Sequence, residues 1–416
     1  MICKLLVIVI FMSLGGSMVY AEKFNLNIYA GRYDSIPIGI IDFKFTGTSL
    51  APDALPSTII TNDFDLCGRF QVIRKPVFDS ASFAAQNVSL YIDGELSQSG
   101  GEIAFTCFVN DIASRELLIK KKYQCHVAQL RTVTHEFSNE FYSLLFGDKG
   151  IFLSRILYAK STGGNKNIAI MDFDGYNNRQ ITSGRVLNLF PAFADSATFV
   201  FTAFLRGKPD IYRESIHGGT PTLIAASRGI QVSPAVSPID ETVAYASSVN
   251  GSLDIFTCAP DGSGKKQLTF GGGGIETAPC WSPSGNQIAY TSDRSGNPQI
   301  YIMDADGGNQ HRITHKSGYC DSPAWSPKGD KIAFTSMISD GKLDIWVVAP
   351  DGSNETQLTN APGHHEYPTW SPDGMLIGYI TRVSGRSDFC VMKPDGSHVR
   401  QVTNTGDVSQ PDWEHF

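Results

Sequence analysis

The second half of the chain reads Ala278-Pro-Cys-Trp-Ser-Pro-Ser-Gly285, and variants of this stretch recur at nearly constant spacing. Each copy places a proline two residues before a bulky residue, and successive copies lie 43, 45, 44, 45 and 43 residues apart. Short β-type segments and glycine-bearing turns follow most copies, which indicates about four strands per unit. A period of about 40–45 residues with four strands is typical of a β-propeller blade. The copies are Pro191-Ala-Phe193, Pro234-Ala-Val236, Pro279-Cys-Trp281, Pro323-Ala-Trp325, Pro368-Thr-Trp370 and Pro411-Asp-Trp413.

The phase of the repeat predicts a closed ring. A strand beginning at Ile156 opens the first unit without a proline element before it, whereas only three residues follow the last element, which ends at Trp413. The last proline element can supply the strand that the first unit lacks, and the two segments together complete one blade. We therefore expect six blades and no open sheet edge. An open stack or a sandwich is the alternative, but regular units without terminal caps favour a ring.

Residues 22–148 precede the repeat and predict a separate α/β domain. Residues 36–43 are typical of a buried strand, and residues 53–66 of a helix that Gly68 stops. Further strands are expected at 69–73, 88–96, 103–111 and 116–125, and a last helix at 130–145. The sequence therefore predicts an α/β N-terminal domain followed by an all-β six-bladed β-propeller over residues 149–416, closed by the C-terminal strand.

The first 21 residues predict an export signal. Lys4 precedes an apolar run at residues 5–14, and Val19-Tyr-Ala21 suits cleavage before Glu22. The run is shorter than the roughly 20 residues that a membrane-spanning helix needs, and no cysteine stands at the cleavage point. We therefore expect an exported, periplasmic chain without a membrane span.

Composition excludes some partners. The formal net charge is −7, and the longest basic cluster is Lys120-Lys-Lys122, so a nucleic-acid partner is not expected. Seven cysteines follow the signal, and their odd number leaves at least one outside any internal disulfide. None forms a C-x-x-C pair, and we expect mostly buried, unpaired thiols, with a disulfide framework as the alternative. They are Cys67, Cys107, Cys125, Cys258, Cys280, Cys320 and Cys390.

Catalytic and metal-binding motifs are weak. The chain has no G-x-S-x-G elbow, and Asp304-Ala-Asp306-Gly307 lacks the remaining ligands of a calcium loop. His364-His365 looks like an exposed loop pair without a spaced third ligand. Recurring aspartates occupy tight turns, where aspartate is a structural choice. We therefore expect no catalytic residue, no metal and no cofactor, with a carbohydrate-binding or carbohydrate-active propeller as the alternative. The turn aspartates are Asp261, Asp306, Asp351 and Asp395.

Several segments together resemble one family. Phe24-Asn-Leu-Asn-Ile-Tyr-Ala-Gly31, Pro37-Ile-Gly-Ile40 and Gly147-Asp-Lys-Gly-Ile-Phe-Leu-Ser-Arg-Ile-Leu-Tyr158, followed by the blades, are similar to the TolB family of the Tol-Pal envelope system. Phe193 and Val236 depart from the family's tryptophan. The resemblance implies a non-enzymatic periplasmic adaptor whose propeller binds the lipoprotein Pal and whose mature N-terminus binds TolA. It also implies a role in outer-membrane integrity and in envelope constriction during cell division.

Two partner-binding sites are predicted. The longer, dissimilar segments share one face of the ring, which favours them as a Pal-binding surface over merely solvated loops. The resemblance places Thr277, Asp321 and Glu366 on that face, because the family's Pal-contacting face includes the position four before the blade tryptophan. The predicted surface consists of Glu276, Thr277, Tyr319, Asp321, His364, His365, Glu366 and Tyr367.

Residues 22–33 are the predicted TolA-binding segment. Phe24, Leu26 and Ile28 alternate with asparagines, the pattern of a strand with one apolar face. Such a strand can add to a partner's sheet edge or serve as an edge strand of its own domain, and both are left open. We expect a monomer.

Overall fold

The computed structural model describes residues 5–8, 23–26, 35–47, 50–270, 274–338 and 341–415. The described chain divides into two compact units, Met1–Leu153 and Ser154–Phe416. Each unit has its own sheets, and each is described separately below.

The first unit is an α/β domain. Its elements are β1 (Leu5–Ile8), β2 (Lys23–Leu26), β3 (Ile36–Ile41), β4 (Lys44–Thr46), a 3₁₀ turn (Pro52–Ala54), α1 (Pro56–Leu66), β5 (Phe70–Lys75), α2 (Ser80–Ala85), β6 (Leu90–Ser99), β7 (Glu102–Asp111), β8 (Leu117–His126), a second 3₁₀ turn (Val127–Gln129) and α3 (Leu130–Phe146).

The main sheet of this unit has the order β5-β3-β6-β7-β8, with β4 pairing at the side of β6. Strand β3 runs parallel to β5 and β6, whereas β6, β7 and β8 form an antiparallel meander. Helix α1 begins with Pro56, which suits a first helical position. Helix α3 ends at Gly147, whose φ of 75° suits a left-handed cap. Strands β1 and β2 form a separate antiparallel pair.

The second unit consists of four-stranded antiparallel sheets. Blade 1 contains β9 (Arg155–Thr162), β10 (Asn165–Asp172) and β11 (Arg179–Gln180). Blade 2 contains β12 (Asn188–Phe193), β13 (Thr198–Ala203), β14 (Asp210–Ser215) and β15 (Thr222–Ala225). Blade 3 contains β16 (Gln231–Val236), β17 (Val243–Ser247), β18 (Asp254–Cys258) and β19 (Lys266–Gln267). Blade 4 contains β20 (Glu276–Trp281), β21 (Gln287–Ser292), β22 (Gln299–Asp304) and β23 (His311–Arg312). Blade 5 contains β24 (Tyr319–Trp325), β25 (Ile332–Met337), β26 (Leu343–Val348) and β27 (Thr356–Gln357). Blade 6 contains β28 (His364–Trp370), β29 (Ile377–Val383), β30 (Arg386–Met392) and β31 (Arg400–Gln401).

The last strand, β32 (Val408–Trp413), completes blade 1 by pairing with β9, with Trp413 opposite Ile156. The first strands of neighbouring blades contact one another in sequence, and β32 contacts both β28 and β12. These strands, called inner strands below, therefore surround the axis of a closed six-membered ring. The predicted fold class, an α/β domain followed by a six-bladed propeller, is confirmed.

The repeated bulky residue fills the space between blades. Trp281 packs with Ala244 and Ile255 of the preceding blade, and Trp370 packs with Ala333 and Ile345 in the same way. Burial of these large side chains between sheets stabilises the ring. The period of the sequence is therefore the period of these interblade layers.

A polar residue, an aspartate in four blades, recurs at or near the start of the third strand and is also structural. The residue at this position is at most 7% exposed in every blade. In five blades a threonine hydroxyl donates to it, at distances from 2.8 Å to 3.4 Å. Buried polar groups need such partners, which accounts for the recurring motif without a catalytic role. The five pairs are Thr182–Asn167, Thr269–Asp254, Thr314–Gln299, Thr359–Asp344 and Thr403–Asp388.

Six of the seven described cysteines are buried, and Cys280 is partly buried. No disulfide links any of these described cysteines. Burial raises the pKa of the Cys258 thiol to about 11, which keeps it protonated and unreactive near neutral pH. The cysteines therefore act as small packing residues, as expected.

Candidate functional site

The two faces of the ring differ in their connections. Turns from first to second strand and from third to fourth strand share one face, called the turn face. Loops from second to third strand and crossovers between blades share the other, called the crossover face. Asp261 and Asp351 on the turn face each accept a hydrogen bond at 2.9 Å from the backbone N–H two residues further on. The turn aspartates therefore shape the turns, as predicted.

Every inner strand has a kink immediately before its proline. The residue before the proline has a φ between 48° and 55°. The ladder between the inner strand and the second strand shifts register there. This conformation costs about 1–3 kcal/mol in residues other than glycine, and a bulge re-aims the neighbouring side chains. The kinked residues are Phe190, Ser233, Ala278, Ser322, Tyr367 and Gln410.

Neighbouring blades hold these kinks in place. The backbone N–H of Tyr367 donates to the Thr335 hydroxyl at 3.1 Å, and that of Ser233 donates to the Thr202 hydroxyl at 3.2 Å. Each threonine lies on the second strand of the preceding blade. The start of an inner strand is therefore a rigid position for side chains at the crossover face.

Glu276 is a correction to the predicted surface. Its side chain is fully buried, where it forms an ion pair with Arg294 and accepts a hydrogen bond from the Ser292 hydroxyl at 3.3 Å. A docked partner cannot reach a buried carboxylate, so Glu276 orients the Arg294 loop and does not provide a contact. Removal of the Arg294 guanidinium would leave the buried Glu276 carboxylate without its ion-pair partner, which is strongly destabilising.

His365 is a second correction. It is 2% exposed and belongs to strand β28, not to an exposed loop. Its Nδ1 lies 2.9 Å from a carboxylate oxygen of Asp344, which also pairs with Lys342 at 3.0 Å. Burial is the largest cause of the lowered pKa of His365, and the Asp344 carboxylate acts in the opposite direction. His365 therefore joins blade 6 to blade 5 instead of facing a partner.

The other predicted residues lie at or near the starts of the inner strands of blades 4, 5 and 6. The Asp321 carboxylate accepts hydrogen bonds from the Tyr319 hydroxyl at 3.2 Å and the Thr291 hydroxyl at 2.9 Å. Burial, followed by the nearby charges of Glu366 and Asp321, raises the pKa of Tyr367. Side chains from two blades therefore converge around Tyr367.

Thr277 and His364 complete the predicted set. Thr277 is partly buried and lies opposite Thr291 in the blade 4 ladder. His364 is also partly buried, and its Nδ1 accepts a hydrogen bond from the Leu343 backbone N–H at 3.3 Å. Phe24 and Leu26 of the predicted TolA segment lie in strand β2, whereas Ile28 lies outside the described residues.

Sequence reasoning missed an apolar rim on the crossover face. Large apolar side chains that are at least 36% exposed occur in its loops and crossovers around the ring. They are far apart in the sequence, and some of them adjoin apolar strand ends, so no single hydrophobic run reveals them and only the fold shows that they share a face. Among the described residues, eight such side chains lie on this face and three, Tyr176, Ile239 and Val399, in turns of the turn face. A larger exposed apolar area favours the crossover face as an interaction site. The apolar rim consists of Leu187, Leu205, Ile230, Val249, Phe270, Ile275, Ile338 and Val383.

A pocket of about 300 Å³ opens on the crossover face between blade 6 and blade 1. Its wall includes Glu366 and Tyr367 of the predicted surface, together with Lys166, Arg382 and Ser409. Arg382 pairs with Glu366 at 2.6 Å. The pocket is therefore a polar depression beside the convergent residues of blades 5 and 6.

Asp412 lies at the inner-strand position where three other blades have alanine. Its carboxylate accepts a hydrogen bond at 2.7 Å from the backbone N–H of Phe193 in the next blade. Burial raises its pKa to about 7 from an ordinary value of 3.8, and the charge of Glu414 adds to this shift. Between about pH 4 and pH 7 we therefore expect the folded ring to hold a proton on Asp412 that the unfolded chain releases.

We expect this proton to make the ring less stable as pH rises. A group with a raised folded-state pKa contributes stability at pH values below its unfolded pKa, and loses it as the pH passes through the folded pKa. The fall should occur between about pH 4 and pH 7 and should be smaller in Asp412→Asn. Melting temperatures across this range provide the measurement. Asp351→Asn is the matched control, because hydrogen bonds from Ser353 lower the pKa of Asp351. An unchanged pH profile in Asp412→Asn would contradict the assignment.

Comparison with known proteins places this geometry in a family. The model of the TolB beta propeller domain matches residues 142–416, about two thirds of the chain. The chain belongs to the TolB propeller family. A TolB homologue from Chlorobium chlorochromatii is 34% identical over 285 residues, which cover 65% of this chain and 64% of the relative. A Tol-Pal system protein TolB from Rickettsia bellii is 31% identical over 260 residues, which cover 55% of this chain and 56% of the relative.

The chain spans less than two thirds of the length of these TolB relatives. The crystal structure of TolB from Acinetobacter baumannii superimposes with a TM-score of 0.79 at 24% identity, covering 91% of this chain and 96% of that chain. This likeness concerns the fold. None of the described helices is long and apolar enough to cross a membrane.

Proposed function

We propose that this chain is a non-enzymatic periplasmic adaptor of the Tol-Pal system. Its propeller binds the lipoprotein Pal through the crossover face, and its mature N-terminal segment, residues 22–33, binds TolA. Through these contacts it supports outer-membrane integrity and envelope constriction during cell division. The TolB names of its relatives support the system, and the export signal supports the compartment.

The apolar rim is the observation that carries the Pal assignment. Its members lie in loops and crossovers on the same face as the convergent polar residues of blades 5 and 6, and a face that offers both apolar and polar side chains suits a protein interface. The turn face carries short turns whose aspartates are engaged by their own backbone. The crossover face therefore offers both the exposed area and the rigid side chains that a docked partner requires.

We expect Thr277→Arg and Tyr367→Ala each to weaken Pal binding by at least about 1–2 kcal/mol, as the loss of an interface anchor does. The arginine would add a long charged side chain at the start of the blade 4 inner strand, and the alanine would remove the aromatic ring at the centre of the convergent residues. Isothermal titration calorimetry with purified Pal measures the affinity, and thermal melting verifies the fold of each variant.

Charge reversals on the turn face provide the controls. Asp351→Lys and Asp395→Lys should leave the affinity for Pal unchanged. If these two abolish binding while the Thr277 and Tyr367 variants bind normally, the assigned face is wrong. If the unmodified chain binds cell-wall muropeptides and not Pal, the adaptor proposal is wrong and a carbohydrate-binding propeller is favoured.

A further inference from the structure

The wall of the pocket between blades 6 and 1 contains one lysine, Lys166. Among the residues that the structure describes, no carboxylate lies within 4.0 Å of the Lys166 ammonium, which instead donates to the Ser409 hydroxyl at 3.0 Å. The two acids of the wall are already engaged, because Glu366 pairs with Arg382 at 2.6 Å and Asp407 pairs with Lys160 at 3.8 Å. Lys166 is therefore the charged residue of the wall that no described carboxylate contacts directly.

The surroundings disfavour the charged form of Lys166. Burial lowers the pKa of Lys166, and the positive charge of Arg382 lowers it further, against a smaller opposing effect of Glu366. An ammonium group in such a place is stabilised by an added anion, since an opposite charge within about 4–6 Å favours the charged form. A carboxylate entering the pocket would supply that charge.

The wall of the pocket is rigid. The backbone N–H of Ser161 donates to the Asp407 carbonyl at 2.9 Å, and that of Gly406 donates to the Asp388 carboxylate at 2.9 Å. The Arg386 guanidinium donates to the Asn404 carbonyl at 2.6 Å. These contacts fix the crossover between β31 and β32 from both sides. The pocket is therefore formed before a ligand binds, which lowers the entropic cost of binding.

We propose that this pocket receives one carboxylate from an acidic side chain of the protein partner docked on the crossover face, with Lys166 as its counter-charge. The pocket adjoins Glu366 and Tyr367, so a partner seated on the convergent residues reaches it without changing its position. The assignment rests on the proposed function for the identity of the partner. Lys166 was absent from the predicted surface because it lies in a β9–β10 hairpin outside the dissimilar segments.

The first test compares the affinity of Pal for the full chain and for Lys166 variants. Lys166→Gln should weaken binding at least tenfold, whereas Lys166→Arg, which keeps the charge, should remain within about threefold. Lys265→Gln is the matched control, since it removes the same charge from an exposed residue on the turn face. Equal melting temperatures verify that the variants fold. If Lys166→Gln binds as tightly as the unmodified chain, the pocket assignment is wrong while the proposed function stands; if the unmodified chain does not bind Pal, the proposed function itself is wrong.

A double-mutant cycle identifies the carboxylate. Each surface aspartate or glutamate of Pal is changed singly to its amide and titrated against the unmodified chain and Lys166→Gln. One amide variant should lose at least tenfold against the unmodified chain but less than twofold against Lys166→Gln, the signature of a direct pair. If all the cycles are additive within twofold, Lys166 pairs with no carboxylate of the partner and the proposal is overturned.

Discussion

Removal of residues 408–416 is expected to open the ring and to lower the free energy of unfolding by at least about 3–5 kcal/mol, the loss typical of large core truncations. The deletion removes strand β32, the inner strand of blade 1, and leaves the edge of β9 without a partner. It also removes Trp413, which is 2% exposed and whose indole N–H donates to the Ser154 hydroxyl at 2.8 Å.

The end of the chain is joined to its neighbours by more than the strand ladder. The backbone N–H of Trp413 donates to the Thr369 hydroxyl at 3.0 Å in blade 6. The Glu414 carboxylate accepts hydrogen bonds from the backbone N–H of Arg155 at 3.0 Å and from its guanidinium at 2.9 Å. These contacts tie β32 to both sides of the closure, so their loss should be cooperative.

Denaturant unfolding measures this effect, and Trp281→Ala is the matched control. That variant loses an interblade tryptophan from blade 4, whose four strands are contiguous in sequence, and the ring remains closed. The deletion should therefore be clearly less stable than Trp281→Ala. If the truncated chain melts like the full chain, closure by β32 does not stabilise the propeller.

The propeller could be predicted because its determinants are local and repeated. A proline, a bulky residue two positions later and a glycine turn specify the inner strand, the interblade layer and the hairpin. Even Val236, which replaces the tryptophan in blade 3, remains 8% exposed in the same layer. A substitution at one copy did not obscure the period of the others.

The candidate site could be predicted only in part, because burial depends on residues far away in the chain. Glu276 and His365 stand in dissimilar, polar stretches that resemble loops. Their partners, Arg294 and Asp344, lie 18 and 21 residues away and belong to a loop and a neighbouring blade. No pattern around Glu276 or His365 indicates an internal ion pair instead of a surface contact.

Lys166 illustrates the opposite difficulty. A lysine in a polar hairpin normally indicates a solvated surface. Lys166 has no direct ion pair because Glu366 pairs with Arg382 and Asp407 pairs with Lys160, which the sequence does not specify. The sequence can therefore favour one face as the functional one, whereas the three-dimensional structure is needed to show which charged groups on that face are paired.

Deletion of residues 22–33 is expected to abolish TolA binding and to leave Pal binding intact. Strand β2 (Lys23–Leu26) pairs with β1 (Leu5–Ile8), with Asn25 opposite Leu6, and this is its only ladder within the described part of the chain. Strand β1 lies inside the predicted signal, so cleavage before Glu22 would remove the partner of β2. The mature segment would then present unpaired backbone groups, which suit addition to the edge of a partner's sheet.

Binding of the purified, exported chain to TolA and to Pal, measured in parallel, tests this hypothesis. Asn25→Pro provides a milder variant, because it removes one backbone donor of the strand and keeps its apolar residues. It should weaken TolA binding strongly without affecting the affinity for Pal or the melting temperature. If the deletion variant binds TolA as the unmodified chain does, another part of the chain must carry that contact. If both partners are lost together, residues 22–33 stabilise the fold, and a separate recognition role for them is wrong.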